Sequence, residues 1–289
     1  MIFHLAVSFA WPLVPYSSKG EEMNRKIVFF DLDGTLLGKR SGKLFQIPGD
    51  ALQAIDEMKR RGHMAVACTG RPIRFVRHFF PGVFDGIIAS NGAHVTLGDE
   101  VLRDWILPES RVRELCRRFD SYGCHYFFIG NDRGWARNIE SAPAELVESL
   151  LKSYFFPHFI AEKWEPHEIA ANAMDFVFRD EAEFKAQLPA FQGEGMVFSR
   201  HANGLSGDLT LPGNNKGIGV NCLLAHMGAS RKDTAAFGDS TGDLAMMREC
   251  GTAVAMGNAT DDVKQYADFV TTAIFDGGVS QGLHRLGLI

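Results

Sequence analysis

The stretch KIVFFDLDGT, residues 26–35, decides the fold. The run Lys26–Phe30 is mainly apolar and ends at an acidic residue, which predicts a buried strand of a parallel sheet. Ligands of such sheets bind beyond the carboxyl ends of the strands. Asp31 and Asp33 therefore lie at a predicted site, and Gly34 permits a tight turn whose backbone N–H groups can face a phosphate.

Strand and helix patterns alternate after this stretch and again towards the end of the chain. The alternation predicts the α/β class, with a doubly wound sheet and right-handed crossovers. Asp50 is expected to cap the first of the helices. The alternating elements are predicted at 50–61, 64–68, 72–79, 86–90, 216–227, 234–237, 243–249, 252–256, 260–266 and 268–270.

Residues 94–207 have a different pattern, in which strands and helices cluster. This predicts an α+β insertion with its own sheet, between core segments 23–93 and 208–289. Its helices are predicted at 110–121, 143–154 and 180–190, and its later strands near 125–129, 174–178, 196–200 and 207–211. Residues 1–18 are apolar but lack a basic start and a cleavage site. Residues 1–22 are therefore expected to be a non-native or disordered extension before Met23.

Composition excludes several classes of protein. The 289 residues include 30 basic and 35 acidic side chains without a basic cluster, which argues against nucleic-acid binding. No apolar run is long enough to cross a membrane. The five cysteines form no metal-binding pair and no disulfide framework, so reduced thiols and a cytoplasmic location are expected. Monomer and homodimer both remain open.

Three further predicted strand ends carry polar residues: Thr69-Gly70-Arg71, Ser90-Asn91-Gly92 and Gly238-Asp239-Ser240-Thr241-Gly242-Asp243. Asp31 and Asp239, brought together, would form an all-oxygen site that suits Mg²⁺. With the metal screening the repulsion, one carboxylate can attack phosphorus and form an acyl phosphate. Asp33 can then protonate the leaving oxygen and later activate water.

Two more residues fit a phosphate site. Thr69 can donate from its hydroxyl and its amide, and Lys216 supplies a positive charge at the start of a helix. Each feature also has an ordinary structural explanation, since strand-end aspartates cap helices and most lysines are solvated. For Asp243, metal support and helix capping both stay open. For Arg71, substrate contact and an exposed helix start both stay open.

Together these motifs resemble the haloacid dehalogenase superfamily of phosphotransferases, in particular its Cof-like type IIB branch. The resemblance rests on Asp31–Thr35, Thr69–Arg71, Asn215–Gly217 and Gly238–Asp243, and it covers nearly all of 25–289. It implies a Rossmann-like core and a large C2B-type cap inserted between the second and third motifs.

The resemblance also implies residue roles and a cofactor, Mg²⁺. Asp31 would be the nucleophile and a metal ligand, and Asp33 the acid and base, with its carbonyl on the metal. Asp239 would bind the metal with help from Asp243, and Thr69 and Lys216 would stabilise the phosphate. Substrate contacts are expected from Gly34, Thr35, Gly70, Arg71, Asn91, Gly92 and Asn215.

One position departs from the family pattern. Family members commonly have Asn immediately before the second Asp of the fourth motif, where this chain has Gly242. The change is expected to weaken affinity for metal or phosphate, or to shift the role to Asn215.

The expected substrate is a small phosphorylated metabolite, such as a sugar phosphate. Alternatives are a phosphomutase or specialised sugar-phosphate phosphatase of the same fold, a non-catalytic binding protein and a receiver-type phospho-acceptor. Asp33 argues against the last two, because neither needs an acid and base for turnover.

Overall fold

The computed structural model describes residues 25–148, 159–193, 195–201 and 204–289. The extension predicted for 1–22 and the proposed start at Met23 lie outside them. The strands are β1 Ile27–Phe30, β2 Gly38–Arg40, β3 Lys43–Gln46, β4 Met64–Cys68, β5 Gly86–Ala89, β6 His94–Leu97, β7 Glu100–Asp104, β8 His125–Ile129, β9 Gly134–Arg137, β10 Ile160–Ala161, β11 Ala173–Val177, β12 Val197–Arg200, β13 Ser206–Thr210, β14 Thr234–Gly238, β15 Thr252–Ala255 and β16 Phe269–Val270.

The helices lie between groups of these strands along the chain. They are α1 Gly49–Arg60, α2 Ile73–Phe79, α3 Glu109–Ser121, α4 Glu181–Gln187, α5 Lys216–Met227, α6 Leu244–Arg248, α7 Asp261–Tyr266 and α8 Gly278–Arg285. Residues 144–148 are also helical, and the rest of the helix predicted at 143–154 lies outside the described residues. No helix within the described ranges could span a membrane.

The first sheet has eight strands in the order β16-β15-β14-β1-β4-β5-β6-β7. Strands from β16 to β5 are parallel, whereas β6 and β7 add antiparallel. β1 lies near the middle with all four residues buried, as its apolar run predicts. Helices α1 and α8 pack against each other, as do α5 and α6. This is the predicted α/β core.

The second sheet has six strands in the order β10-β9-β8-β11-β13-β12. One face is apolar and packs against α3 and α4 through a shared buried cluster. Phe119 of α3 and Phe176 of β11, for example, meet edge to face with ring centroids 4.8 Å apart. The insertion therefore has its own sheet and its own core.

Strand pairing does not follow the boundaries predicted at 94 and 207. β6 and β7 continue the eight-stranded sheet, and β13 stays in the six-stranded sheet as far as Thr210. The reason is that β6 turns back beside β5 as a hairpin before the chain leaves the first sheet. We propose 105–211 as the inserted cap, with the remaining described residues as the core.

Two local predictions also change. Pro48, not Asp50, takes the N-cap position of α1, and Asp50 lies in the first turn, where its charge favours the helix dipole. The hairpin β2–β3 and helix α8 were not predicted. The hairpin contains Gly and charged residues without a regular apolar alternation, so its sequence resembles a loop.

Candidate active site

The polar residues of the motifs meet because their strands are neighbours. β1 lies between β14 and β4, and all three run in the same direction. Asp31, Thr69 and Asp239 directly follow these strands, so they share one edge of the sheet. The carboxyl-end site predicted from the sequence is therefore formed in the folded chain.

Lys216 holds two carboxylates at the centre of the site. Its Nζ lies 2.6 Å from Asp31 Oδ1 and 2.6 Å from Asp243 Oδ1, and all three residues are buried. Burial lowers the pKa of Lys216, but the carboxylates of Asp243 and Asp31 reverse the shift and raise it, so the ammonium stays charged. Lys216 is the first residue of α5, as predicted.

The site carries more negative than positive charge. Carboxylate oxygens of Asp31, Asp239 and Asp243 lie within 4.8 Å of one another beside the single ammonium of Lys216. Burial and the Asp243 carboxylate raise the pKa of Asp31, and the same two causes raise that of Asp239 to about 7. This arrangement favours a bound cation.

Asp243 organises the loop that carries Asp239. Its Oδ2 accepts hydrogen bonds from Asp239 N at 3.0 Å, Ser240 N at 2.9 Å and Ser240 Oγ at 3.2 Å. Its other oxygen binds Lys216. Of the two interpretations left open by the sequence, the capping interpretation is confirmed, because Asp243 forms a capping box with Ser240. Its support of a metal stays a prediction.

The donors around Asp239 fit Mg²⁺. All are carboxylate oxygens, which suit a hard cation, and Asp239 Oδ1 is buried without a hydrogen-bond partner among the described residues. Only glycine allows the backbone at position 34 to lie this close to the Asp239 carboxylate. The φ of Gly34 is +94°, and a Cβ there would lie 2.0 Å from Asp239 Oδ2. The Asp33 carboxylate lies outside this group of carboxylate oxygens. Binding of the metal by the Asp33 backbone carbonyl stays a prediction.

Arg71 binds the proposed acid and base. Its Nε and Nη2 donate to Asp33 Oδ2 at 2.9 Å and Oδ1 at 2.8 Å, and its guanidinium lies 4.6 Å from the centre of the Phe75 ring. Asp33 is half exposed. The predicted substrate contact of Arg71 stays a prediction, since this guanidinium is used by Asp33.

Thr69 has one donor for phosphate where the sequence predicted two. Its amide donates to Ile88 O at 2.8 Å within the sheet, which leaves only the hydroxyl. The hydroxyl oxygen accepts from the Arg71 amide at 3.1 Å, so its hydrogen can still be donated.

The other predicted substrate contacts have neighbours within the protein. Asn91 donates to Thr210 Oγ1 in the cap at 3.2 Å, and Asn215 caps α5 by accepting from the Ile218 amide at 2.9 Å. Gly92 lies where a Cβ would be 2.2 Å from Asn215 O. Gly70 faces the Asn91 side chain and Thr35 is fully buried. Their contacts with substrate remain predictions.

Gly242 leaves open space in the fourth motif. A Cβ there would meet only Ser240 Oγ, at 3.6 Å. Asn215 accepts a hydrogen bond from its own helix, and the predicted shift of the Asn role to Asn215 stays a prediction.

Two supporting residues were missed from the sequence. Asn258 donates to Gly34 O at 2.8 Å and accepts from Ile274 N at 2.9 Å, which fixes the turn after Asp33. Arg103 of β7 donates to three acceptors: Gly92 O, Gly213 O and Asn214 Oδ1. Asn258 lies in Ala255-Met256-Gly257-Asn258-Ala259, a further stretch that resembles the family, whereas no local pattern marks Arg103.

The family model of haloacid dehalogenase-like hydrolases matches residues 28–283, which contain every residue of this site. The chain belongs to that family. The YkrA protein of Bacillus subtilis (strain 168) is 29% identical over 92% of this haloacid dehalogenase-like hydrolase and 100% of its own length. The HMP-PP phosphatase of Klebsiella pneumoniae (strain 342) is 27% identical over 83% of this chain and 86% of its own.

Solved structures have the same architecture. The subclass IIB sugar phosphatase BT4131 superposes with a TM-score of 0.74 at 26% identity, over 91% of this chain and 100% of its own. The predicted family, the α/β fold with its cap and the phosphatase class are therefore confirmed.

Proposed function

We propose that this enzyme is a Mg²⁺-dependent phosphatase that hydrolyses small phosphomonoesters through a phosphorylated Asp31. The observation that carries the proposal is the contact of Lys216 with Asp31 and Asp243, next to Asp239 at the same sheet edge. A buried carboxylate fixed by an ammonium is oriented for attack, and its neighbours form an oxygen site for a cation.

The reaction divides into two displacements. In the first, an Asp31 oxygen bonds to phosphorus, the bond from phosphorus to the ester oxygen breaks, and protonated Asp33 gives its proton to that oxygen. In the second, Asp33 takes a proton from water, the water oxygen bonds to phosphorus, and the bond to Asp31 breaks to release inorganic phosphate. To act in both displacements, the Asp33 carboxyl must first break its hydrogen bonds with Arg71.

The remaining groups bind and orient the phosphate. Lys216 and the Thr69 hydroxyl face the phosphoryl oxygens, whose negative charge they stabilise. Mg²⁺, held by Asp31, Asp239 and the Asp33 carbonyl with support from Asp243, would offset the repulsion between carboxylate and phosphate.

A sugar phosphate is the proposed substrate class. The structural relative BT4131 is a sugar phosphatase, and the HMP-PP phosphatase shows that relatives act on other small phosphorylated compounds.

The proposed location is the cytoplasm. The five cysteines are unpaired, which supports a reducing, cytoplasmic compartment.

The proposal is tested by phosphate release from para-nitrophenyl phosphate and a panel of sugar phosphates, with Mg²⁺ and with a chelator. We expect turnover only with Mg²⁺, and its loss in Asp31→Asn, which keeps the side-chain shape. Turnover that persists in folded Asp31→Asn would contradict the proposal. A phosphorylated sugar isomer in place of inorganic phosphate would indicate the phosphomutase alternative.

A further inference from the structure

One face of the cap sheet is turned towards the active site. On β13, Asp208 and Thr210 are two residues apart and so share a face. Thr210 Oγ1 accepts a hydrogen bond from Asn91 Nδ2, at 3.2 Å, at the end of core strand β5. Leu209, between them, belongs to the buried cluster that packs against α3 on the other face. Asp208 therefore lies on the core-facing side.

Two more polar residues join Asp208 on this side. Asp175 of β11 is its direct partner across the strand pair, so both side chains leave the sheet on the same face. His201 follows β12, with Nε2 3.4 Å from Asp208 Oδ1 and Nδ1 2.8 Å from Ser206 Oγ. We call Asp175, Asp208 and His201 the cap triad.

The cap triad lies within electrostatic reach of the catalytic edge. Burial lowers the pKa of His201, but Asp208 and Asp175 reverse the shift and raise it, and Arg71 of the core acts against them. Because Thr210 on the same face contacts Asn91 of the core, groups from cap and core face the same space. This space is the proposed leaving-group side of the site.

The cap triad carries a net negative charge in either state of the imidazole. Arg71 and Asp33 neutralise each other through two hydrogen bonds. The triad adds two carboxylates and at most one imidazolium, since His201 is paired with Asp208. Carboxylates accept hydrogen bonds from hydroxyl and ammonium groups and repel anions.

We propose that Asp175, Asp208 and His201 line the leaving-group side of the active site and select phosphomonoesters whose leaving group carries hydroxyl or amino groups and no second anionic group. The inference rests on the proposed phosphatase function. It adds that the charge of the leaving group decides which phosphomonoesters are hydrolysed. Esters with a carboxylate or a second phosphate are rejected.

The competing possibility is that Arg71 receives an anionic leaving group. Its guanidinium would have to give up Asp33, to which both Nε and Nη2 donate here. An anion placed there would also face the Asp175 and Asp208 carboxylates. The first possibility predicts that esters with an anionic leaving group are hydrolysed more slowly, and the second predicts that they are hydrolysed faster.

Three esters with nearly the same carbon skeleton separate them: glucose 6-phosphate, glucosamine 6-phosphate and 6-phosphogluconate. They carry a neutral, a cationic and an anionic leaving group. We expect kcat/KM for the first two to exceed that for the third by at least about tenfold in the wild type. Para-nitrophenyl phosphate reports phosphatase activity without a second charge.

The variants Asp208→Asn and Asp175→Asn remove one charge each and keep the shape. Each is expected to reduce several-fold the ratio of kcat/KM for the neutral and cationic esters to kcat/KM for the anionic ester. Glu109→Gln is the matched control, because Glu109 begins α3 on the opposite face of the cap sheet and is exposed. It should leave the preference unchanged.

Each outcome separates the claims. Equal or faster turnover of 6-phosphogluconate by the wild type overturns the inference, as does a preference that neither Asn variant alters in folded protein. Because Asp208 is more exposed than buried Asp175, its variant tests the inference even if Asp175→Asn unfolds. If no ester, including para-nitrophenyl phosphate, is hydrolysed with Mg²⁺, the proposed function itself fails and the inference with it.

Discussion

At the scale of single residues, the approach of the first motif to the fourth depends on a missing side chain. Gly34 takes a positive φ, and the Asp239 carboxylate occupies the space where a Cβ would stand. Asn258 holds the carbonyl of the same glycine. Small changes here act on the acidic group without touching the nucleophile.

Gly34→Ala is expected to lower phosphatase turnover by on the order of a hundredfold, because the new methyl group displaces Asp239. Gly82→Ala is the control, since Gly82 also has a positive φ, +72°, but nothing within 4 Å of its Cβ position. Both variants incur the backbone strain, so Gly82→Ala measures the effect of that strain without the clash. Equal activity in the two would show that the clash is unimportant.

Gly242→Asn is expected to fold normally, because only Ser240 Oγ lies near the new Cβ. The amide would add a polar group beside Asp239 and Asp243, where family members commonly have one. We expect a lower Mg²⁺ concentration for half-maximal turnover, measured by titration. An unchanged titration would mean that Gly242 does not weaken the response of this enzyme to Mg²⁺.

At the scale of elements, the cap helix α3 is joined to its sheet through Asp120. Arg137 donates to it at 2.6 Å, and Asn138 and Tyr126 each at 3.0 Å. Burial raises the pKa of Asp120, but these hydrogen bonds reverse the shift and lower it. The carboxylate therefore stabilises the fold where it is ionised.

Asp120→Asn is expected to cost about 1–3 kcal/mol of unfolding free energy near neutral pH. A carboxyl whose pKa is lowered in the fold stabilises above its unfolded value of about 3.9, and this stability is lost as the pH falls through the folded value. Urea unfolding should be measured at pH about 6 and below about 4. The difference in unfolding free energy between the wild type and Asp120→Asn should be smaller at the lower pH. Asp99→Asn, in an exposed turn, is the control; equal differences at both pH values would contradict the account.

The linker that precedes α5 is held by Arg103, on the edge strand β7. Its guanidinium joins Gly92 O to Gly213 O and Asn214 Oδ1, just before Lys216. Arg103→Ala should lower kcat by about tenfold with little change in KM, because Lys216 loses its alignment. Arg103→Lys should not fully restore it, since an ammonium lacks the planar fork. Hydrogen exchange over 213–219 should rise; unchanged kcat and exchange would refute this role.

At the scale of the whole molecule, the sequence predicted the core because its signals are local. The apolar run before Asp31 and the strand–helix alternation depend on near neighbours, and their strand ends meet as predicted. Asp31, Asp239 and Lys216 come together for the same reason.

Long-range packing set what the sequence did not predict. The pattern of β6 and β7 does not show which sheet they join, so their place in the eight-stranded sheet was not predicted. The pairing of Arg71 with Asp33 depends on how β1 and β4 lie side by side, and the contact of Asn91 with Thr210 depends on how cap and core meet. No spacing along the chain encodes either contact.

The central claim is that Asp31 becomes phosphorylated during turnover, and the most direct measurement is to trap that state. In Asp33→Asn the second displacement lacks its base, while para-nitrophenolate leaves without needing a proton. Acid quenching during turnover of para-nitrophenyl phosphate, followed by mass spectrometry, should find phosphate on the peptide that contains Asp31, and none in Asp31→Asn. Turnover by the wild type with no phosphorylated peptide in either the wild type or Asp33→Asn would contradict the account and indicate direct attack by water.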